Sequence, residues 1–104
     1  MIISTTDSIP NKDIIEITGI AKGNTVRAKH VGRDIFAGLK NIVGGEIHEY
    51  TTLLSEVRDE AMKRMMDDAR QMGADGIINV RLTTSVVMQG TSEILAYGTA
   101  VKLS

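Results

Sequence analysis

Cysteine is absent from this 104-residue chain. That excludes disulfides, thiolate zinc centres, iron–sulfur ligation and a cysteine nucleophile. Tryptophan is absent too, and Phe36, Tyr50 and Tyr97 are the whole aromatic complement. They are scattered and not interleaved with a basic run, so no stacking platform for bases is expected. Neither sign of charge dominates: 12 basic residues face 13 acidic ones, for a net charge of −1. Without a block of like charge there is no electrostatic footprint for nucleic acid or an anionic membrane. No apolar run approaches the roughly 20 residues needed to span a bilayer. The opening stretch, MIISTTDSIP, has no basic start and no long apolar run, so no signal peptide is expected and the cytoplasm is the expected compartment. Pro10 is the one proline, and no repeat, linker or low-complexity segment interrupts the chain. What remains is an ordinary soluble composition, 42% hydrophobic, at the length of one domain spanning residues 1–104.

Along that domain the hydrophobic period changes twice. MIIST reads as a first strand and TDSIPNK as a loop. In the next stretch Ile15 and Ile17 alternate with Glu16 and Thr18, the pattern of a strand. Gly19 and Gly23 suggest a bend or bulge before the strand resumes at Thr25 to Ala28. From Val31 the period becomes helical, with Ile35, Leu39, Ile42 and Val43 recurring, until Gly44-Gly45 supplies a stop. A second helix is expected from near Glu46 to about Met72, ended by Gly73.

After Gly76 the period drops to two. Ile78, Val80, Leu82, Thr84, Val86 and Met88 are expected on one face of a strand, with Asn79, Arg81, Thr83 and Ser85 on the other. QGTS is a hairpin turn, and the last strand runs from about Glu93 to Leu103. One face of it, Ile94, Ala96, Gly98, Ala100 and Lys102, is small in the middle, so a helix or another backbone can approach closely. The expected fold is α+β in the order β-β-α-α-β-β, with two helices packed on a largely antiparallel sheet.

The stretch AMKRMMDDARQMGADG carries four methionines. On the second helix Ile47, Tyr50, Leu54, Val57, Ala61, Met65, Ala69 and Met72 form one stripe, so Met65 and Met72 read as core. Met62 and Met66 lie on its flank and suit a helix–helix or subunit contact. Fourteen residues of helix, about 21 Å, separate His48 from Met62, far too much for one metal ion within a subunit.

The ligand candidates that remain are Glu46, His48 and Glu49 in GGEIHEY. Glu46 and Glu49 have helical side-chain spacing, while His48 and Glu49 diverge. A solvated first turn, with acids favoured by the helix dipole, accounts for the same residues. Catalysis has little to build on. There is no nucleophile-elbow motif, no Walker loop and no paired metal-binding histidines, and Asp67-Asp68 diverge on the helix. GADG follows a helix and precedes a strand, the reverse of a phosphate loop, and fits a helix cap. An enzyme would need a site between subunits, with Arg33, Asp34, Tyr50 and Asp75 as its candidates. No catalysis is expected.

Several stretches together, GRDIFAGLKNIVGGE at 32–46, YTTLL at 50–54, A..MGADGIINVR at 69–81 and LAYGTAV at 95–101, resemble the YbjQ-like family over nearly the whole chain. Its members are small bacterial and archaeal proteins of uncharacterised function, labelled a "putative heavy-metal-binding domain". The resemblance implies a dodecin-subunit-like α+β fold and assembly into homopentameric rings. The shared positions, among them Gly44, Gly45, Gly73, Asp75 and Gly98, are mostly turn, cap and packing types, and neither His30 nor His48 is one of them. In a ring, Glu46, His48 and Glu49 of neighbouring chains would converge on a divalent metal ion or small ligand where one chain alone does not. The alternatives are the intersubunit enzyme and an oligomeric scaffold that docks another protein.

Overall fold

The computed structural model describes residues 1–27, 48–89 and 91–104, with the backbone alone for 27 and 48–53. Within them the order is β1 (Ile2–Ile3), β2 (Ile14–Arg27), α1 (His48–Gln71), β3 (Gly76–Met88) and β4 (Thr91–Leu103). This β-β-α-β-β order differs from the expected β-β-α-α-β-β. The first expected helix, Val31 to Val43, lies outside the described residues. The sheet is mixed, in the order β1-β3-β4-β2. β4 pairs antiparallel with both β3 and β2, and β1 adds a short parallel pair to β3.

One helix covers one face of this sheet. Val57, Ala61, Met65 and Ala69 recur every four residues and are fully or almost fully buried, as the stripe requires. Ala61, Met65 and Ala69 meet Ala21 of β2, Ala96 and Ala100 of β4, and Ile77 and Val80 of β3. The small face of β4 is therefore the helix-bearing face. Contact with β2 is closer still. A Cβ on Gly23 would overlap the backbone of Ala61, Arg64 and Met65, so the helix rests on the strand with no side chain between them. Met62, Met66 and Met72 are half-buried and pack against the same cluster. Met62 and Met66, expected at a subunit contact, thus belong at least in part to the core margin.

The helix ends where Gly73 takes φ 77°. Ala74 N–H donates to Ala69 O at 3.1 Å and Gly73 N–H to Arg70 O at 3.0 Å. These are the paired bonds of a Schellman cap.

Two expectations within the strands need correction. β2 runs from Ile14 to Arg27 with the irregularity expected at Gly19 present between Ile17 and Gly19, and another between Ile14 and Glu16. Gly23 is no bend. It is the seat of the helix. In β3 the pairing shifts between Ile78 and Arg81, and Asn79 has φ 53°. Two residues there oppose Gly98 of β4, whose missing side chain leaves room for Ile77 and Val80. The extra residue reverses the alternation. Val80 faces the helix, whereas Ile78 turns to the opposite face and packs with Ile9 and Val101. Ile78 and Val80, expected on one face, are thus on two. The loop after β1 lies on that second face. Asn79 N–H donates to Thr6 O at 2.9 Å, and Arg81 Nη1 to Thr5 O at 3.1 Å.

Candidate functional site

His48 and Glu49 are the first described residues of α1, adjacent on the helix, and Glu46 lies outside the described residues. The convergence of these three on a metal ion is therefore an expectation about the assembly of chains. Among the described residues, no group of three His, Cys, Asp or Glu side chains comes close enough to hold a metal ion. For the alternative enzymatic set, Arg33 and Asp34 lie outside the described residues, and Tyr50 lies on α1. Asp75 has structural employment. Its Oδ2 accepts Leu103 N–H at 3.0 Å and its own N–H donates to Val101 O at 2.8 Å. That ties the entry of β3 to the end of β4.

The one polar constellation that sequence reasoning did not find lies between α1 and the outer edge of β2. A groove of about 570 Å³ is lined there by Lys22, Gly23, Asn24, Arg64, Asp67, Asp68, Gln71, Glu93 and Leu95. Asp68 Oδ2 accepts Lys22 N–H at 3.0 Å. Arg64 Nη1 donates to Asn24 O at 2.6 Å, and its Nε to Glu60 Oε1 at 3.2 Å. Asn24 Nδ2 donates to Glu93 Oε2 at 3.2 Å, and Arg70 Nη1 to Asp67 Oδ1 at 2.9 Å. The charged groups are engaged with one another and with the strand edge, and the ion pairs are half-exposed. Each such pair contributes about 0–1 kcal/mol.

What this arrangement does is close an edge. β2 is an outer strand, and its backbone groups at Lys22 and Asn24 would otherwise be open to another chain. Asp68 supplies an acceptor and Arg64 a donor in place of a neighbouring strand. Asp67 and Asp68 diverge, as expected: one pairs with Arg70 in solvent, the other reaches the strand. The available signal was the acid–base alternation at 64, 67, 68 and 70. It reads equally well as a solvated helix face until the helix is set on Gly23.

Among the described residues, one helix over one face of a mixed four-stranded sheet defines a small α+β domain, and 104 residues are aligned with one family throughout. The sequence model of the YbjQ family, described as "Putative heavy-metal-binding", matches residues 1–104, and the chain belongs to that family. A protein of Archaeoglobus fulgidus, named UPF0145 protein, is 59% identical over 103 residues, covering 99% of this chain and 95% of its own. One of Shewanella frigidimarina, of the same name, is also 59% identical over 103 residues, covering 99% and 96%. A crystal structure from Pediococcus pentosaceus, titled a protein with unknown function of the DUF74 family, superposes with a TM-score of 0.65 at 18% identity. It covers 100% of this chain and 98% of its own, which shows a shared fold. No helix among the described residues is long and apolar enough to cross a membrane.

Proposed function

We propose that the protein is a non-catalytic homo-oligomer, a pentameric ring, that binds a divalent metal ion or small ligand between its subunits. The observation that carries this reading is an inverted distribution of apolar side chains. The helix–sheet core is built largely of alanines, at 21, 61, 69, 96 and 100. Meanwhile Ile15, Ile17, Ile20, Val86, Val87 and Met88 are all more than 60% exposed. A monomer that leaves these six large side chains outside has surface suited to burial against another chain. The family's description supports metal as the ligand class. Glu46, His48 and Glu49 remain the proposed ligands, drawn together from neighbouring chains.

Native mass spectrometry of untagged protein, purified without chelator, tests the assembly and the cargo together. A five-subunit mass carrying extra mass in stoichiometric steps is the expected result. A bare monomer would overturn the reading. Replacing Glu46, His48 and Glu49 together by alanine should abolish the metal-dependent mass steps. Unchanged metal uptake by a pentamer of that variant would put the site elsewhere.

A further inference from the structure

Among the described residues the sheet has two bare edges, and they are unlike. On one side β2 is outermost. Its edge is closed at Lys22 and Asn24 by Asp68 and Arg64, but not at its other end. Because Lys22 N–H and Asn24 O point outward, alternation along the strand makes the N–H and C=O of Ile20 point outward too. Ile17 and Ile20 are 66% and 69% exposed there. On the other side, β1 and the following loop occupy the edge of β3 only as far as Val80, whose N–H donates to Ser4 O at 3.0 Å. Beyond that point, among the described residues, the outer edge of β3 has no strand partner. Val80 points outward, and Asp75 N–H meets Val101 O, so the odd-numbered residues of β4 face β3. Arg81 then faces inward, and Leu82, Thr84 and Val86 present their backbone groups outward. Leu82 and Val86 are exposed, Val86 at 79%.

We infer that the distal half of β3 in one copy of this chain pairs with the proximal half of β2 in the next, making one continuous sheet across subunits. This rests on the reading of the protein as a ring and assigns its interface. Both strands run antiparallel to β4 and hence in the same direction. Rotation about an axis to which the strands are tilted, as in a closed barrel, keeps neighbouring strands running the same way, so the joint between copies is parallel. Two different surfaces meeting head to tail form a heterologous contact, the kind that closes into rings. The two bare segments lie at different heights. Ile20 is level with Ile78 through Thr99, and Thr84 is level with Thr25 through Ile94. At about 3.3 Å per residue the offset of five residues is roughly 17 Å. Copies joined this way are staggered along the strands, as a closed, sheared sheet requires. Asp68 and Arg64 then limit the register, because they close β2 where the joint would otherwise slide upward.

Proline at an outward-pointing position removes the donor to a neighbour and leaves the β3–β4 and β2–β4 bonds intact. Thr84→Pro and Ile20→Pro, each measured by native mass spectrometry with far-ultraviolet circular dichroism as the fold check, test the joint. The wild type should be a ring and both variants monomers. Mixed, they should form a 1:1 heterodimer, because each keeps the edge that the other has lost. Should proline unfold either variant, the double substitution Leu82→Lys and Val86→Lys decides, since it places charge on the same edge without altering the backbone; it should yield monomers. A wild-type ring that survives Thr84→Pro or the double lysine variant at full mass overturns this joint and leaves the ring itself standing. If Thr84→Pro gives dimers while Ile20→Pro gives monomers, the joint is instead a twofold β2–β2 pair. A monomeric wild type overturns both the joint and the ring.

Discussion

Gly23 and Gly73 do different work, and substitution separates them. At Gly73 the requirement is conformational: φ 77° closes the Schellman cap, and nothing crowds the position closer than Lys102 Cε at 3.8 Å. Alanine there costs about 1–2 kcal/mol for the left-handed backbone. At Gly23 the requirement is space, and what fills it is helix backbone, which has no rotamer to yield. Gly23→Ala must lift α1 off β2 and loosen Ala61 and Met65 with it. We expect a loss at or above the upper end of the ~1–3 kcal/mol typical of overpacking. Urea denaturation of both variants should rank Gly23→Ala as the more damaging. The reverse order would mean that α1 is free to shift on the sheet. The cap at Gly73 was legible because glycine after a helical stripe has few other meanings. The seat at Gly23 was not, because glycine in a strand signals a bulge as readily as a close approach.

The elements read from periodicity survive where the period is unbroken. α1 ends within one residue of its expected limit and is helical from the first described residue, His48, since a stripe of four-residue spacing admits one phase. β3 shows the opposite case. Its alternation is regular in sequence, yet the extra residue at Asn79 flips every face before it. Asparagine is among the few residues that tolerate the left-handed φ of that bulge, and this was the sole hint. The metal candidates Glu46, His48 and Glu49 could be proposed because they adjoin a helix start; whether they meet depends on other chains, which no single sequence pattern encodes. Asp68 carries a prediction at this scale. Asp68→Ala removes the acceptor from Lys22 N–H and reopens the middle of β2. Global stability should fall by no more than ~1 kcal/mol, the worth of an exposed hydrogen bond. Association should change more, because a longer bare edge recruits wrong partners. Light scattering should show species beyond the wild-type assembly. A variant that stays as uniform as the wild type would mean that Asp68 guards nothing.

The radius of gyration is 16.9 Å. A compact domain of this length is expected near 13 Å. Among the described residues the strands run to 14 residues, and the end of β3 is exposed at Val86, Val87 and Met88. With Ile15, Ile17, Ile20 and Val86 exposed, part of the chain's hydrophobic stabilisation is available only through association. That has a thermodynamic signature. When folding and assembly are linked, the melting temperature depends on protein concentration, because the unfolded state is monomeric and the native state is not. Raising the concentration a hundredfold should raise the midpoint of the wild type measurably in differential scanning calorimetry. Thr84→Pro, which retains the fold of the single chain but lacks one edge donor, should melt lower and at a midpoint independent of concentration. Equal, concentration-independent midpoints for both proteins would mean that the alanine core alone sustains the fold. The exposed isoleucines would then be a surface for some partner other than a second copy.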